Sequence, residues 1–176
     1  TKSTPKPMLD VGGKPLLERI IDNLKLHGIR DITLTTHYMP EIITDYFANG
    51  ARFDVRVNYV HEDSPLGTAG ALTMLDNLDR PLLVINGDIL TDLNFQGFYE
   101  YHTTKGADLT IAARRFDFEV PYGVLEVDDS GALESLQEKP LKSFQINAGI
   151  YCLNPSVLEK YKPESELLIT DMTEDD

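Results

Sequence analysis

The chain is short of cysteine, of positive charge and of long apolar runs, and each shortage excludes something. A single cysteine, Cys152, excludes an internal disulfide framework and any multi-cysteine zinc site. No stretch approaches the ~18 consecutive apolar residues of a membrane-spanning helix. No charged-then-apolar signal segment opens the chain. With 16 Lys and Arg against 29 Asp and Glu, the net charge is −13 and the pI is near 4.6. Such a field argues against broad binding to nucleic acid or to anionic membranes. It leaves room for a small anionic ligand, provided a few lysines are concentrated in one cleft. Repeats and low-complexity stretches are missing too. What remains is ordinary: 176 residues, 41% hydrophobic, enough for one domain that buries roughly 70% of its unfolded surface.

Segments alternate along the chain. Residues 15–27 place apolar side chains at 16, 17, 20, 21 and 24, one helical face, and Gly28 follows as the stop. I-T-L-T-T at 32–36 is a β-branched strand. Residues 40–49 read as a helix closed by Gly50, and 55–60 as a strand. Residues 69–78 read as a helix with Ala71, Leu72, Leu75 and Leu78 inward. L-L-V-I-N at 82–86 is a continuous apolar run, the pattern of a strand enclosed on both faces. Residues 95–105 are again helical, and 108–113 again a strand. This alternation predicts an α/β layer fold with a mixed, mostly parallel sheet flanked by helices. The second half changes character. Strands at 123–127 and 132–137 flank D-D-S-G, a hairpin turn signal, and a further strand spans 145–153. They predict an antiparallel elaboration on the same sheet, within one domain over 1–176. The acidic tail 174–176 is expected to fray.

In open α/β sheets, ligands bind beyond the carboxyl ends of the strands. Gly87 and Asp88 follow the apolar strand, where a carboxylate can help hold a divalent cation; a turn or helix-capping aspartate is the bland alternative. After the 55–60 strand comes L-G-T-A-G-A at 66–71. Bare backbone there suits a phosphate or a base edge, and equally suits close packing behind a Thr68 cap. Lys6 lies between two prolines, which give its ammonium a stiff launch point for phosphate. Glu138-Lys139 ends a strand. Tyr122-Gly123 and Asn147-Ala148-Gly149 each pair a small residue with a hydrogen-bonding one. Ser64, Ser130 and Ser143 sit in no nucleophile elbow. Cys152 reads as core, and His27, His37, His61 and His102 lack ligand spacing and read as structural or surface residues.

Taken in order, several fragments resemble the sugar-1-phosphate nucleotidyltransferases, the nucleotide-sugar pyrophosphorylases. They are P-K-P-M-L at 5–9, G-G-K-P-L-L at 12–17, L-G-T-A-G-A-L at 66–72, N-G-D at 86–88, V-P-Y-G-V at 120–124, E-K-P at 138–140 and I-N-A-G-I-Y at 146–151. L-G-T-A-G-A with N-G-D is similar to the mannose-1-phosphate guanylyltransferase-like branch, whose members can carry paired regulatory CBS modules. The resemblance implies a Rossmann-like fold and a cytoplasmic, magnesium-dependent enzyme. It would join an NTP, GTP favoured, to a hexose 1-phosphate, with no nucleic-acid or membrane partner and with homo-oligomers allowed. By residue, it implies phosphate contact for Lys6, nucleotide binding for Gly67, Thr68, Ala69, Gly70 and Gly87, and magnesium at Asp88. It places Tyr122, Gly123, Glu138, Lys139, Asn147 and Gly149 at the sugar phosphate, with Lys139 gripping the phosphate. Lys14 matches a recurring lysine for which a structural role is the better reading.

The resemblance also implies parts beyond both ends. The family begins with a strand and a glycine-rich triphosphate loop, which would precede Thr1, and supplies a second metal aspartate beyond Asp176; Asp171 does not take that role. The chain is therefore expected to be part of a longer protein. Two rivals accompany this reading. A non-catalytic nucleotide-sugar sensor on the same fold would show a degenerate upstream loop. A glycosyltransferase would use a D-x-D-type metal motif, whereas here Asp88 and Asp92 stand four apart.

Overall fold

A computed structural model of the chain describes residues 4–76, 78–162 and 165–173. The expected frayed tail at 174–176 lies outside the described residues. The chain divides into two compact units, the larger made of Thr1–Thr110 and Gly149–Asp176, the smaller of Ile111–Ala148.

In the larger unit, helix α1 (Leu16–Leu26) buries Leu16, Leu17, Ile20, Ile21 and Leu24, the face its spacing predicts. It ends at Gly28, whose φ is +77°. There the Gly28 N–H donates to the Lys25 carbonyl at 2.9 Å and the Ile29 N–H to the Leu24 carbonyl at 3.0 Å. Those two bonds make a Schellman stop, which satisfies carbonyls the helix leaves open. Strands β1 (Asp31–Thr36) and β2 (Arg56–His61) pair in parallel around helix α2 (Pro40–Phe47) in sequence. Helix α2 stops two residues earlier than its pattern suggests. Ala48 leaves the helical region at φ 46°, and the turn closes at Gly50, where a β-carbon would stand 2.7 Å from the Val55 carbonyl oxygen.

Strand β3 (Leu82–Ile85) pairs antiparallel with the far end of β7 (Leu141–Leu153), and β7 lies between β3 and β4 (Leu109–Glu119). The mixed α/β class stands, with parallel pairing at β1–β2 and antiparallel pairing where the returning strand β7 joins. Strand β3 is half-buried along its whole length rather than enclosed on both faces. Among the described residues it has a sheet neighbour on one side only.

The expected helix at 69–78 is also corrected. Among its described residues only one 3₁₀ turn forms, Gly70–Met74, and Leu75 is already extended at ψ 129°. The segment before it is committed elsewhere. The Ala69 N–H donates to the Leu167 carbonyl, and the Leu167 N–H to the Leu66 carbonyl, both at 2.9 Å. Pairing with distant chain thus sets the start of this segment and competes with helix propagation. Its apolar side chains still point inward: Leu72 joins Ala69, Tyr151, Leu153, Val157, Leu158, Leu167 and Ile169 in one core, with Leu75 and Leu78 packed against it.

Helix α3 (Phe95–Lys105) is capped by Asn94, whose side chain accepts from the Gly97 N–H at 3.0 Å. The buried ring of His102 ties this helix to its surroundings. Its Nδ1 lies 2.8 Å from Thr110 Oγ1 and its Nε2 3.3 Å from Asn154 Oδ1. Asn154 precedes the short helix α4 (Pro155–Leu158) and donates to the Ala107 carbonyl at 3.0 Å. The histidine is structural, as read from sequence. Cys152 is fully buried in β7, and burial pushes its thiol up to about 11.

The smaller unit holds the predicted hairpin, β5 (Val124–Val127) and β6 (Leu133–Gln137). The hairpin forms a two-stranded sheet of its own rather than an elaboration on the same sheet, because among the described residues β5 and β6 pair only with each other. Asp128 organises the turn: its Oδ1 accepts from the N–H groups of Ser130 and Ala132 at 2.8 and 2.9 Å, and Gly131 takes φ +83°. The Ser130 hydroxyl and those amides hold the Asp128 carboxyl below its usual range.

Candidate active site

In the larger unit the site is built on the turn after β3. The Asn86 N–H donates to the Gly149 carbonyl at 3.0 Å, and the Ile89 N–H closes the turn on the Asn86 carbonyl at 3.2 Å. Gly149 has φ +72°, and a β-carbon there would stand 2.8 Å from Asn86 Nδ2. Only glycine fits this conformation and this approach. Gly87 is crossed from the other side: its β-carbon would lie 3.3 Å from Pro7 Cγ. The Pro7 ring thus lies against Gly87, and the Lys6 backbone, in a single 3₁₀ turn behind buried Pro5, lies beside the Asp88 turn.

From there the Lys6 ammonium reaches Asp88 Oδ2 across 82 residues of sequence. The lysine side chain keeps 71% of its exposure and the aspartate 32%. Four expected site residues, Lys6, Gly87, Asp88 and Gly149, thus share one neighbourhood. The sequence reading already had Pro7 as a stiffener of the Lys6 backbone and Asn86 within N-G-D, but not their contacts with Gly87 and Gly149.

The L-G-T-A-G-A segment behaves differently. Gly67 takes φ +77°, and a β-carbon would meet the Leu167 carbonyl oxygen at 2.6 Å; at Gly70 it would meet the Ser165 carbonyl oxygen at 2.5 Å. The Ile169 N–H donates to Thr68 Oγ1 at 3.0 Å. Much of the bare backbone is therefore used by chain packing. Ala69 and Gly70 are buried, while Gly67 and Thr68 keep an exposed face. Thr68 does not cap the following turn, whose first residue has no side-chain cap.

The smaller unit gathers a second group. Pairing of Val124 with Gln137 brings V-P-Y-G and E-K-P side by side. The Lys139 N–H donates to the Tyr122 carbonyl at 3.3 Å, and a β-carbon on Gly123 would stand 3.2 Å from Glu138 Oε2. Lys139 holds φ 46°, a left-handed conformation that costs a non-glycine residue energy and is kept by its surroundings. Tyr122 is 75% exposed, and Glu138, Lys139 and Asn147 are exposed as well. The unit thus presents a carboxylate, an ammonium, a phenol and an amide to solvent.

Lys14 belongs to neither group. It bridges Glu18 at 2.9 Å and Asp22 at 2.8 Å, and those hydrogen bonds, Asp22 first, push its ammonium up to about 12. Burial alone would raise the Glu18 carboxyl. The Tyr46 hydroxyl at 2.6 Å and Lys14 outweigh it, and the carboxyl sits below its usual range. The network ties the 10–15 loop to α1 and α2. Arg19 reinforces it by donating to the Val11 and Gly12 carbonyls. Lys14 is structural, as the sequence reading preferred.

Comparison with known proteins follows the same lines. The nucleotidyl transferase family matches residues 1–175. A mannose-1-phosphate guanyltransferase of Debaryomyces hansenii is 34% identical over 94% of this chain and 49% of its own length. Mannose-1-phosphate guanylyltransferase 1 of Arabidopsis thaliana is 34% identical over 91% of this chain and 47% of its own. Among solved structures, HddC from Yersinia pseudotuberculosis complexed with GMP-PN superposes with a TM-score of 0.70 at 29% identity, covering 96% of this chain and 76% of that one. The chain spans about half the length of the curated relatives it matches. With the motifs, the fold and the family match in agreement, the chain is a member of the nucleotidyl transferase family.

Proposed function

We propose that the protein to which this chain belongs joins an NTP to a hexose 1-phosphate, forming a nucleotide-sugar and releasing pyrophosphate. The observation that carries the reading is the meeting of Lys6 and Asp88, two motif residues 82 positions apart, on one glycine- and proline-shaped turn. Guanine is the favoured base, since both guanylyltransferase relatives and the GMP-PN-bound HddC point that way. Residues 1–176 act as one nucleotidyltransferase domain. A cytoplasmic setting, homo-oligomers and fused CBS modules come with the resemblance alone.

The Asp88 turn fits a magnesium ion. Its carboxylate is partly open to solvent and already holds a cationic group, the Lys6 ammonium. Magnesium asks for one or two carboxylates and fills its other positions with phosphate oxygens and water. When bound, the ion would neutralise phosphate charge.

The reactants repel each other, so the protein's first task is charge compensation. Lys6 meets the nucleotide phosphates as a point charge. Lys139 grips the sugar phosphate, and Glu138 accepts hydrogen bonds from sugar hydroxyls, with Tyr122 and Asn147 as further polar contacts. Gly123, which is exposed, lets a ligand approach the backbone, and Gly149 shapes the turn by taking the Asn86 side chain against it. The exposed edge at Gly67 and Thr68, with Ala69 and Gly70 next to it, bounds the nucleotide, and Gly87 meets it from the Asp88 turn. An oxygen of the sugar phosphate attacks the α-phosphorus, and the bond to pyrophosphate breaks in line with it. No general base is required, because a phosphate monoester is already ionised near neutral pH, its second pKa being about 6. Holding both phosphates in line can lower the barrier by up to about 7–11 kcal/mol in ideal cases.

The test is pyrophosphate release by the full-length protein, with magnesium, across a grid of NTPs and hexose 1-phosphates. Turnover with GTP and one hexose 1-phosphate is expected. Nucleotide-sugar binding without turnover under every pairing would replace the enzyme with a sensor.

A further inference from the structure

The ion pair at the Asp88 turn raises a question that the proposed reaction leaves open. The carboxylate assigned to the metal is already engaged by the lysine assigned to the phosphates. We propose that Lys6 and the divalent cation alternate on Asp88. Without nucleotide, the Lys6 ammonium occupies the carboxylate. A cation arriving with the nucleotide's phosphates displaces it, and the freed ammonium turns to those same phosphates. The inference rests on the functional reading above and deepens it. It makes Lys6 a gate on the metal as well as a phosphate ligand.

Three features of the turn support exchange over a permanent bridge. The pair is open, with the lysine side chain 71% exposed and the aspartate 32%, and an exposed pair of this kind is weak enough to part. The lysine backbone, by contrast, is restrained by a proline on either side. Pro5 is buried, and the Pro7 ring lies where it would meet a β-carbon on Gly87 at 3.3 Å. Exchange is then a rotation of the exposed lysine side chain. Finally, the charges suit the exchange. A carboxylate carrying an ammonium is neutral as a pair and attracts a free cation poorly. Once phosphates supply negative charge nearby, the ammonium has a second partner and the carboxylate is released to the metal. Cation and nucleotide are then expected to bind with positive coupling.

The experiment uses Mn²⁺ as the probe, with free Mn²⁺ followed by electron paramagnetic resonance in the full-length protein, with and without GTP. If the pair occupies the carboxylate about four-fifths of the time, removing the competitor tightens nucleotide-free Mn²⁺ binding about fivefold. Lys6→Met is therefore expected to bind Mn²⁺ alone about fivefold more tightly than wild type and to lose the added affinity that GTP brings. Lys6→Arg, which keeps a positive charge at this position, is expected to stay within about twofold of wild type. Asp88→Asn is expected to lose the site. Thermal melts of all three should match wild type, since the pair is exposed. Loss of Mn²⁺ binding in Asp88→Asn with unchanged or weakened binding in Lys6→Met would overturn the exchange and leave Asp88 as the metal residue. Undiminished binding in Asp88→Asn would overturn the exchange together with the metal assignment. Turnover is not the readout, so neither result depends on the enzyme being active.

Discussion

None of the described residues between 111 and 148 is buried, whereas the rest of the chain encloses Ile21, Phe47, Phe95, Ile150 and Leu153 almost completely. In the smaller unit Leu125, Leu133, Leu136 and Leu141 remain 60–62% exposed. The two units therefore hold their functional groups by different means. The larger one uses packing: a proline ring on Gly87, an amide on Gly149 and carbonyls pressed onto Gly67 and Gly70. The smaller one uses a hairpin ladder and a hydrogen-bonded turn, which set the backbone of Tyr122, Gly123, Glu138 and Lys139 and leave their side chains free. A packed frame suits an ion pair that must be aimed. A ladder suits exposed side chains on a fixed backbone.

That contrast can be broken by substitution, and core truncation should give the largest effect. Leu153→Ala, fully buried in β7, should cost about 2–5 kcal/mol. Leu125→Ala in the hairpin should stay within about 0.5 kcal/mol. Chemical denaturation of the two variants compares them directly, and equal losses would dissolve the distinction. Next comes Asp88→Asn, expected to lower turnover by about 100-fold or more with little change in melting temperature. Pyrophosphate release read beside a thermal melt separates the two effects. In the smaller unit, Lys139→Ala should raise the KM for hexose 1-phosphate about tenfold or more while GTP affinity changes less than about twofold. Steady-state kinetics with each substrate varied in turn measures this, and equal damage to both would argue against the division of labour. Gly70→Ala should destabilise by about 1–3 kcal/mol, because the new methyl meets the Ser165 carbonyl oxygen at 2.5 Å and Leu66 Cβ at 2.6 Å.

The smallest effects concern pH, and they have opposite signs in the two units. Lys14 is raised from 10.5 to about 12 in the folded larger unit. Its contribution is complete below 10.5 and disappears as pH rises through about 12. Asp128 is lowered in the smaller unit by the Ser130 hydroxyl and the Ala132 amide. Its contribution is present above the ordinary value of 3.8 and is lost as pH falls through the folded value. Thermal melts at alkaline pH for Lys14→Met, and acid titration of the Ser130 and Ala132 amides by NMR, should show each slope flattening only in its own unit.

Much of this was legible in the chain. Helix α1 announces itself by apolar spacing at 16, 17, 20, 21 and 24 and by the Gly28 stop, because burial and capping both act within one or two turns. The hairpin is equally plain in D-D-S-G, since Asp128 makes its bonds within four residues. The segment at 69–78 departs from its local pattern for the opposite reason. Its apolar positions repeat with helical spacing and do face the core, but Leu66, Thr68 and Ala69 bond to chain a hundred residues away. The β3 run reads as enclosed because its residues are all apolar, and no local pattern says that its sheet partner comes from one side.

The candidate site divides the same way. Sequence alone determined which residues carry charge or bare backbone, and in what order: Lys6 between its prolines, Gly87 and Asp88 after an apolar strand, Glu138 and Lys139 before a proline. Those are properties of a few neighbouring residues, and neighbours set them. Only the tertiary structure decided that Lys6 meets Asp88, that Gly149 lies against Asn86, and that Gly67 and Gly70 yield their space to residues 165–167. Each of these is a contact between segments far apart in the chain. It forms only when the intervening chain has closed, so no local spacing can state it.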